Sequence, residues 1–204
     1  MAKRMQACTT CHGAQGVTSN QAYFPRIAGK PAGYLFNQLQ NFKEGRRHYG
    51  LMVGMVEHLS DAYLLEMAQY FAALDLPYEN PIPLKTTVSN ASLQLGKTLV
   101  LQGDKARNIP ACTSCHGDAM MGIQPSTPAL LGLPRDYLAA QLGAWQTGLR
   151  RAHAPDCMGR IAKLLTPNDI DAASNWLASQ PVPAFTKPAA SLLQPVSEQC
   201  GGVK

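Results

Sequence analysis

The sequence lacks the features that mark a membrane-spanning protein. It contains no run of eighteen or more apolar residues, and its most apolar stretch, residues 62–76, is interrupted by Glu66, Gln69 and Asp75. A helix that crosses a bilayer needs about 20 consecutive, predominantly apolar residues. The sequence therefore predicts no transmembrane segment.

Charge is also sparse, because only 15% of the residues are charged and the formal net charge is +5. Lysine and arginine are scattered along the chain, and the only notable pairs are residues 46–47 and 150–151. Proteins that follow a phosphate backbone gather their basic residues into a patch or stripe. We therefore expect no nucleic acid among the partners.

Cysteine is scarce but patterned. Four of the six cysteines form two C-x-x-C pairs, and each pair is followed directly by a histidine. The two motifs consist of Cys8, Cys11 and His12 in the first half, and of Cys112, Cys115 and His116 in the second. A C-x-x-C pair alone is also compatible with a thioredoxin-like redox site, and clustered cysteines and histidines are compatible with zinc.

A long internal repeat surrounds these motifs. The segment that begins at Pro25 aligns with the segment that begins at Pro128, and further along Met52 aligns with Met158, with offsets between 103 and 106 residues. Small changes of offset indicate short loop insertions within one shared fold. Because the histidine recurs with the cysteines, the repeat favours covalent haem attachment over a thioredoxin-like or zinc site.

The apolar spacing in both halves is typical of helices, and no strand pattern competes with it. Residues 34–42 repeat at helical spacing, Ser60 and Thr166 are predicted N-caps of later helices, and residues 91–103 are predicted to open the second half with a helix. The predicted architecture is all-α, with two tandem domains that each contain one C-x-x-C-H motif. Their predicted bounds are residues 1–76 and 91–180, joined by a Pro-containing linker, 77–90, and followed by a Pro-rich tail, 181–204.

In C-x-x-C-H, the two thiols form thioethers with the haem vinyl groups and the adjacent histidine binds the iron. The sequence therefore predicts two covalently bound haem c groups. Met52 and Met158 are the predicted sixth ligands, because they occupy equivalent positions in the repeat. Met55 is the alternative to Met52, and the remaining histidines, at 48, 58 and 153, are interpreted as surface or hydrogen-bonded residues.

Four further residues are candidates for holding the haems. Pro25 and Pro128 follow the ligand histidines by 13 and 12 residues and are suited to accept a hydrogen bond from them. Arg47 and Arg150 are predicted to close the middle helix of each half and to pair with haem propionates, although solvated helix ends would explain them equally well.

These motifs resemble the bacterial two-haem cytochromes c4 and the related cytochrome subunits of periplasmic dehydrogenases. The resemblance covers residues 1 to about 180 and rests on C-x-x-C-H-G, P-x-x-x-G and the Y-L-x-x-Q-L helix, each present twice. It implies an all-α fold of two tandem mono-haem cytochrome c domains, related by pseudo-twofold symmetry with facing propionate edges. It also implies a periplasmic location and methionine ligation at Met52 and Met158. Redox partners implied by the family are a membrane oxidase, a cytochrome bc1-type complex or a dehydrogenase.

Some features depart from the family pattern. Only seven residues precede Cys8, and no export signal is present, so we expect a processed, truncated or mis-started chain in which the first domain has lost an N-terminal helix.

Cys157 and Cys200 are additional cysteines, outside the two motifs. An alternative function is a haem enzyme of the thiosulfate dehydrogenase type with Cys157 as the axial ligand, and another is the cytochrome subunit of a periplasmic dehydrogenase complex. The hypothesis preferred for these cysteines is a Cys157–Cys200 disulfide, because an exported protein lies in an oxidising compartment.

Overall fold

Regular structure in the described residues is helical. The computed structural model describes residues 1–18, 24–78, 87–194 and 199–202, and in these ranges it contains α-helices, short 3-10 turns and isolated β-bridges but no strand. The first-half helices are α1 (Gln6–His12), α2 (Ala32–Lys43), α3 (Gly50–Val56) and α4 (Asp61–Ala72). Those of the second half are α5 (Asn90–Gln102), α6 (Thr113–His116), α7 (Arg135–Gln146), α8 (Cys157–Leu164) and α9 (Pro167–Ser179).

The element order reproduces the sequence repeat. Helices α1 to α4 correspond to α6 to α9, whereas the position of α5 corresponds in the first half only to a 3-10 turn at Ala2–Met5. The prediction of an all-α fold is therefore confirmed. No helix among the described residues is both long and apolar enough to cross a membrane, since the longest have 13 residues.

Side-chain caps fix where the later helices begin. The Ser60 hydroxyl accepts a hydrogen bond from the Tyr63 amide, and Thr166 forms a reciprocal capping box with Asp169 ahead of α9. Each bond satisfies an amide that a helix start would otherwise leave unpaired. Both predicted caps are confirmed. Helix α5 begins one residue earlier than expected, because Ser89 caps it.

Each half has its own hydrophobic core, and the two clusters share no residue. The first consists of Met5, Leu35, Phe42, Val56, Leu64, Met67, Ala68 and Phe71. The second consists of Val100, Met120, Met121, Ala129, Leu131, Leu133, Tyr137, Leu138, Ala173, Trp176 and Leu177. Burial of these side chains is the main source of stability in each half.

Helices α5 and α9 cross at very close range at Gly96. A Cβ atom at Gly96 would lie 2.1 Å from the Ala172 carbonyl oxygen and 2.8 Å from the Trp176 Cβ. No side chain larger than hydrogen fits there without moving backbone. By contrast, a Cβ at Gly143 in α7 would have no neighbour within 4 Å.

The described start of the predicted linker and described parts of the tail contact the domains. Arg26 lies 4.0 Å over the ring of Tyr78 and donates hydrogen bonds to the carbonyls of Leu76 and Pro77. These contacts hold the start of the predicted linker, whereas residues 79–86 of that linker lie outside the described residues. In the tail, the Lys187 ammonium lies 2.9 Å from the Asp75 carboxylate.

Candidate functional site

The two C-x-x-C-H motifs lie in equivalent helices, each of which ends at its histidine. Helix α1 ends at His12 and α6 ends at His116, and the glycine that follows has a φ of +76° at Gly13 and +82° at Gly117. Only glycine adopts this region without strain, and a Cβ at Gly13 would lie 2.3 Å from the Val17 carbonyl oxygen. The glycine after each motif therefore turns the chain sharply away from the histidine.

Both histidines are held in one orientation by a proline carbonyl. His12 Nδ1 donates to the Pro25 oxygen and His116 Nδ1 donates to the Pro128 oxygen, each over 2.8 Å. A histidine that donates from Nδ1 to a carbonyl keeps Nε2 for a metal. These hydrogen bonds therefore hold the two rings in equivalent orientations.

Burial also sets the charge of these rings. His12 and His116 are only 8% and 7% exposed. Burial lowers the pKa of His12, a hydrogen bond to Pro25 opposes this effect, and the nearby Arg47 adds to it. Burial likewise lowers the pKa of His116. Both imidazoles are therefore neutral at pH 7, which is the form that binds iron.

The motif cysteines do not have the properties of a redox-active dithiol. Burial raises the pKa of Cys8, and burial together with Cys115 raises the pKa of Cys112 to about 11. Reactive C-x-x-C pairs instead have a lowered pKa. In the described part of the chain, no three histidine, cysteine or carboxylate side chains converge as a metal cluster, which zinc would need.

The predicted sixth ligands lie near the start of equivalent helices. Met52 is the third residue of α3 and packs partly buried against the first core, while Met158 is the second residue of α8. Met55, the alternative to Met52, is 46% exposed. The environment of the two side chains therefore agrees with the preference for Met52.

Cys157 is bonded to Cys200 through a disulfide, which confirms the predicted pairing. A sulfur in a disulfide has no thiolate to offer a metal. The alternative in which Cys157 is an axial ligand is therefore not supported by this structure.

Arg47 and Arg150 do not close the middle helices, as the sequence suggested, but lie beyond them. Helix α2 ends at Lys43 and α7 at Gln146, and the two arginines pair with each other as an antiparallel bridge between the halves. Each segment turns back on its own helix, because the Arg47 amide donates to the Asn41 carbonyl and the Arg150 amide to that of Ala144. The turn carries both arginines into the interface between the domains.

The two guanidinium groups make crossed hydrogen bonds at this interface. Arg47 donates to Gln38 of its own half and to Gln141 of the other, while Arg150 donates to Gln141 of its own half and to Gln38 of the other. The donor–acceptor distances of these four hydrogen bonds are 3.2, 2.7, 2.7 and 3.0 Å, in that order. We call these two arginines and two glutamines, together with Tyr34 and Tyr137, the interdomain cluster.

The interdomain cluster carries positive charge without an anion. Arg150 is 5% exposed, and the hydrogen bonds of Arg47 and Arg150 go to neutral side chains among the described residues. Burial alone would raise the pKa of Tyr34, but Arg150, Arg47 and Lys30 lower it to about 8. Buried charge is costly unless it is paired, so this arrangement suits carboxylates that a bound group would bring.

The sequence repeat alone predicted no role for the polar members of this cluster. Gln38 and Gln141 occupy equivalent repeat positions on helices whose other repeated residues are mostly apolar, as do Tyr34 and Tyr137. A polar residue repeated within an apolar helix face was the available signal. Of the other histidines, His153 accepts a hydrogen bond of 2.8 Å from Arg46, while His48 and His58 are exposed.

Comparison with known proteins gives a consistent set of relatives, although no family model matches the chain. The thiosulfate dehydrogenase electron acceptor of Thiomonas intermedia is 38% identical over 176 residues, which are 86% of this chain and 79% of the relative. Cytochrome c4 of Pseudomonas aeruginosa is 34% identical over 175 residues, 83% of this chain and 82% of the relative.

Solved structures agree with these relatives. Reduced cytochrome c4 from Pseudomonas stutzeri superposes with a TM-score of 0.71 at 30% identity and covers 87% of this chain and 95% of its own. Thiosulfate dehydrogenase TsdBA from Marichromatium purpuratum superposes with a TM-score of 0.74 at 32% identity over 86% of this chain. The match spans only 36% of that longer TsdBA chain.

Proposed function

Since this chain belongs to the cytochrome c4 family of two-haem c-type cytochromes, we propose that its two C-x-x-C-H helices each bind one haem and that it relays electrons from a dehydrogenase in the periplasm. It acts in electron transfer and is a carrier, not an enzyme. The observation that carries the site assignment is the orientation of both motif histidines by a proline carbonyl at 2.8 Å.

In the proposed first site, Cys8 and Cys11 hold the haem covalently and His12 and Met52 bind its iron. In the second site, Cys112 and Cys115 hold the haem, and His116 and Met158 bind its iron. When bound, each haem supplies an iron that accepts or releases one electron. Pro25 and Pro128 keep the histidine rings in place, so little reorganisation accompanies the change of charge.

Arg47 and Arg150 are proposed to hold propionates from both haems. The two guanidinium groups lie between the domains and lack a carboxylate partner among the described residues, and a propionate is a carboxylate of the kind that arginine binds in bidentate geometry. Because the crossed bonds reach both halves, the interdomain cluster is suited to keep the two haem edges facing each other. That arrangement favours transfer between the haems.

We propose a dehydrogenase that oxidises thiosulfate as the electron donor. Relatives that are 38% identical carry the name thiosulfate dehydrogenase electron acceptor. The similarity to about a third of the TsdBA chain supports the same class of partner. A carrier of this kind would then pass its electrons to a membrane oxidase or a cytochrome bc1-type complex.

A redox titration followed by absorption tests the proposed haem sites and the proposed role of Arg47 and Arg150. We expect two one-electron waves, and we expect Arg150→Gln or Arg47→Gln to lower a haem potential by on the order of 50 mV, because a nearby positive charge favours the less positive ferrous state. Arg151→Gln is the matched control, since Arg151 is exposed and adjacent, and its effect should be much smaller. No shift in either Arg47→Gln or Arg150→Gln, or equal shifts in all three variants, would contradict the proposed role of the two arginines.

A further inference from the structure

We propose that the disulfide-bonded end of the tail is a clamp that positions Met158 at the second haem. We also propose that no equivalent clamp holds Met52 at the first haem. This inference rests on the proposed function, in which Met158 binds the second iron. The clamp consists of the Cys157–Cys200 disulfide and of Gly201 packed on the loop 152–156. Its consequence is that the two haems differ in how readily another ligand displaces methionine.

The tail contacts the chain immediately before Met158. Cys157 is the first residue of α8, is 8% exposed, and is bonded to Cys200, 43 residues further along the chain. The Gly201 amide donates to the Pro155 carbonyl over 3.0 Å. A Cβ at Gly201 would lie 2.3 Å from the Ala154 carbonyl oxygen, so the tail lies directly on this loop.

The loop itself is closed by Asp156. One carboxylate oxygen accepts from the Gly159 amide and the other from the Ala152 amide, both over 2.8 Å. Asp156 thereby caps α8 and fixes the loop that leads into it. Met158 thus lies between a capped helix start and a covalent crosslink.

The tail is held at other points as well. The Ala189 amide donates to the Gly122 carbonyl over 3.0 Å, and the Gln124 amide donates to the Ala189 carbonyl over 2.8 Å. Asn37 in α2 donates to the Gly202 carbonyl over 2.9 Å. Because the tail end contacts both halves, Cys200 is not a free end that moves with the Met158 loop.

Among the described residues, the start of α3 next to Met52 has no equivalent of this arrangement. Helix α3 has no side-chain cap, and Leu51, which precedes Met52 as Cys157 precedes Met158, is 62% exposed. The repeat offset rises from 103 at Gly45 and Gly148 to 106 at the two methionines, so the loop that receives the tail is longer by three residues. The insertion and the additional tail therefore occur together, in the second half only.

A crosslink acts by restricting the open state. When methionine leaves the iron, its loop gains conformations, and a disulfide and a packed tail remove many of them. We therefore expect methionine to dissociate less often from the second haem. Because the first haem belongs to the same molecule, it provides an internal reference.

The test uses imidazole as the displacing ligand on the oxidised, full-length two-haem protein. Loss of each methionine ligand is followed through its shifted methyl signal in the NMR spectrum, assigned with Met52→Leu and Met158→Leu. In the variant with both Cys157→Ser and Cys200→Ser, we expect Met158 displacement to accelerate by roughly tenfold or more. Met52 displacement should not change. Both cysteines are exchanged because a lone Cys157 thiolate would itself compete for the iron.

Leu51→Ser is the control for the first half, because it also places serine directly before the proposed ligand methionine, but at an exposed position without a crosslink, and it should leave both rates unchanged. Gly201→Ala is a second variant that keeps both cysteines but forces the tail off Ala154, and a several-fold acceleration at Met158 alone is expected. Faster exchange of the α8 amides with deuterium, without change in α3, would support the clamp independently of any ligand.

Failure of the clamp is distinguishable from failure of the ligand assignment. If Met158→Leu leaves both methyl signals in place, Met158 is not the ligand and the proposed site is wrong. If Met158→Leu removes one signal, but neither the double serine variant nor Gly201→Ala changes its displacement rate, the ligand assignment stands and the clamp is wrong.

Discussion

Exchanging Met158 for histidine is expected to lower the potential of the second haem by roughly 0.2 V, a fraction of the ≈0.8 V that axial ligands span. The physical reason is that a thioether favours ferrous iron and raises the potential, whereas a second imidazole donates more strongly to ferric iron. The equivalent Met52→His exchange should lower the potential of the first haem. In both cases the other haem should stay nearly unchanged, which a spectroelectrochemical titration resolves.

Met55→His is the control for the first half, because Met55 lies one helical turn beyond Met52 and is 46% exposed. We expect no change of potential in this variant. The oxidised spectrum offers a second readout, since a weak band near its red end marks the methionine–iron bond. Loss of half of that band in Met55→Leu, with Met52→Leu unaffected, would move the ligand assignment to Met55.

Gly96→Ala is expected to destabilise the protein by about 3 kcal/mol, because the new methyl group would press on backbone and force α5 away from α9. The closest atom, the Ala172 carbonyl oxygen, would lie 2.1 Å from the added carbon and belongs to a helix backbone. This value already allows for the higher helix propensity of alanine, which offsets about 1 kcal/mol of the steric cost. Denaturant unfolding followed by circular dichroism gives the change.

Gly143→Ala is the matched control for this prediction. It also lies inside a helix, but a Cβ there meets nothing within 4 Å, so the exchange should be neutral or stabilise by up to about 1 kcal/mol. Equal stability of the two variants would show that α5 does not pack on α9 as closely as described.

Local chemistry explains why much of the fold was predictable. The cap at Ser60 and the capping box at Thr166 are properties of a few consecutive residues, and both are present. The Cys157–Cys200 disulfide also followed from a simple argument, since only two cysteines remained outside the motifs and the family resemblance implied an oxidising compartment.

The interdomain cluster could not be predicted in this way. Each arginine bonds to the glutamine of the other half, and such a contact depends on how two complete domains pack. The expectation that Arg47 and Arg150 end their helices was wrong, because it used only the local charge pattern at helix ends. The close crossing at Gly96 was similarly hidden, since a glycine within a helix gives no sign of what approaches it.

The site residues were predicted from their positions along the sequence, and the structure adds their contacts and burial. Repeat register alone selected Met52 and Met158, and the structure adds that Met52 is partly buried whereas Met55 is exposed. The proline carbonyls were chosen from their distance along the sequence, and they accept the histidine hydrogen bonds at 2.8 Å. Assignment of the ligands themselves stays a prediction.

The intact mass of the mature protein, measured after acid–acetone extraction, tests most directly whether the chain carries two covalent haems. We expect the mass of the polypeptide plus two haems, because thioether bonds at both C-x-x-C-H motifs survive this extraction. A variant with Cys112→Ala and Cys115→Ala should retain only the haem that is bound by Cys8 and Cys11. A wild-type protein that carried one haem, or none, would contradict the assignment of both motifs as haem sites.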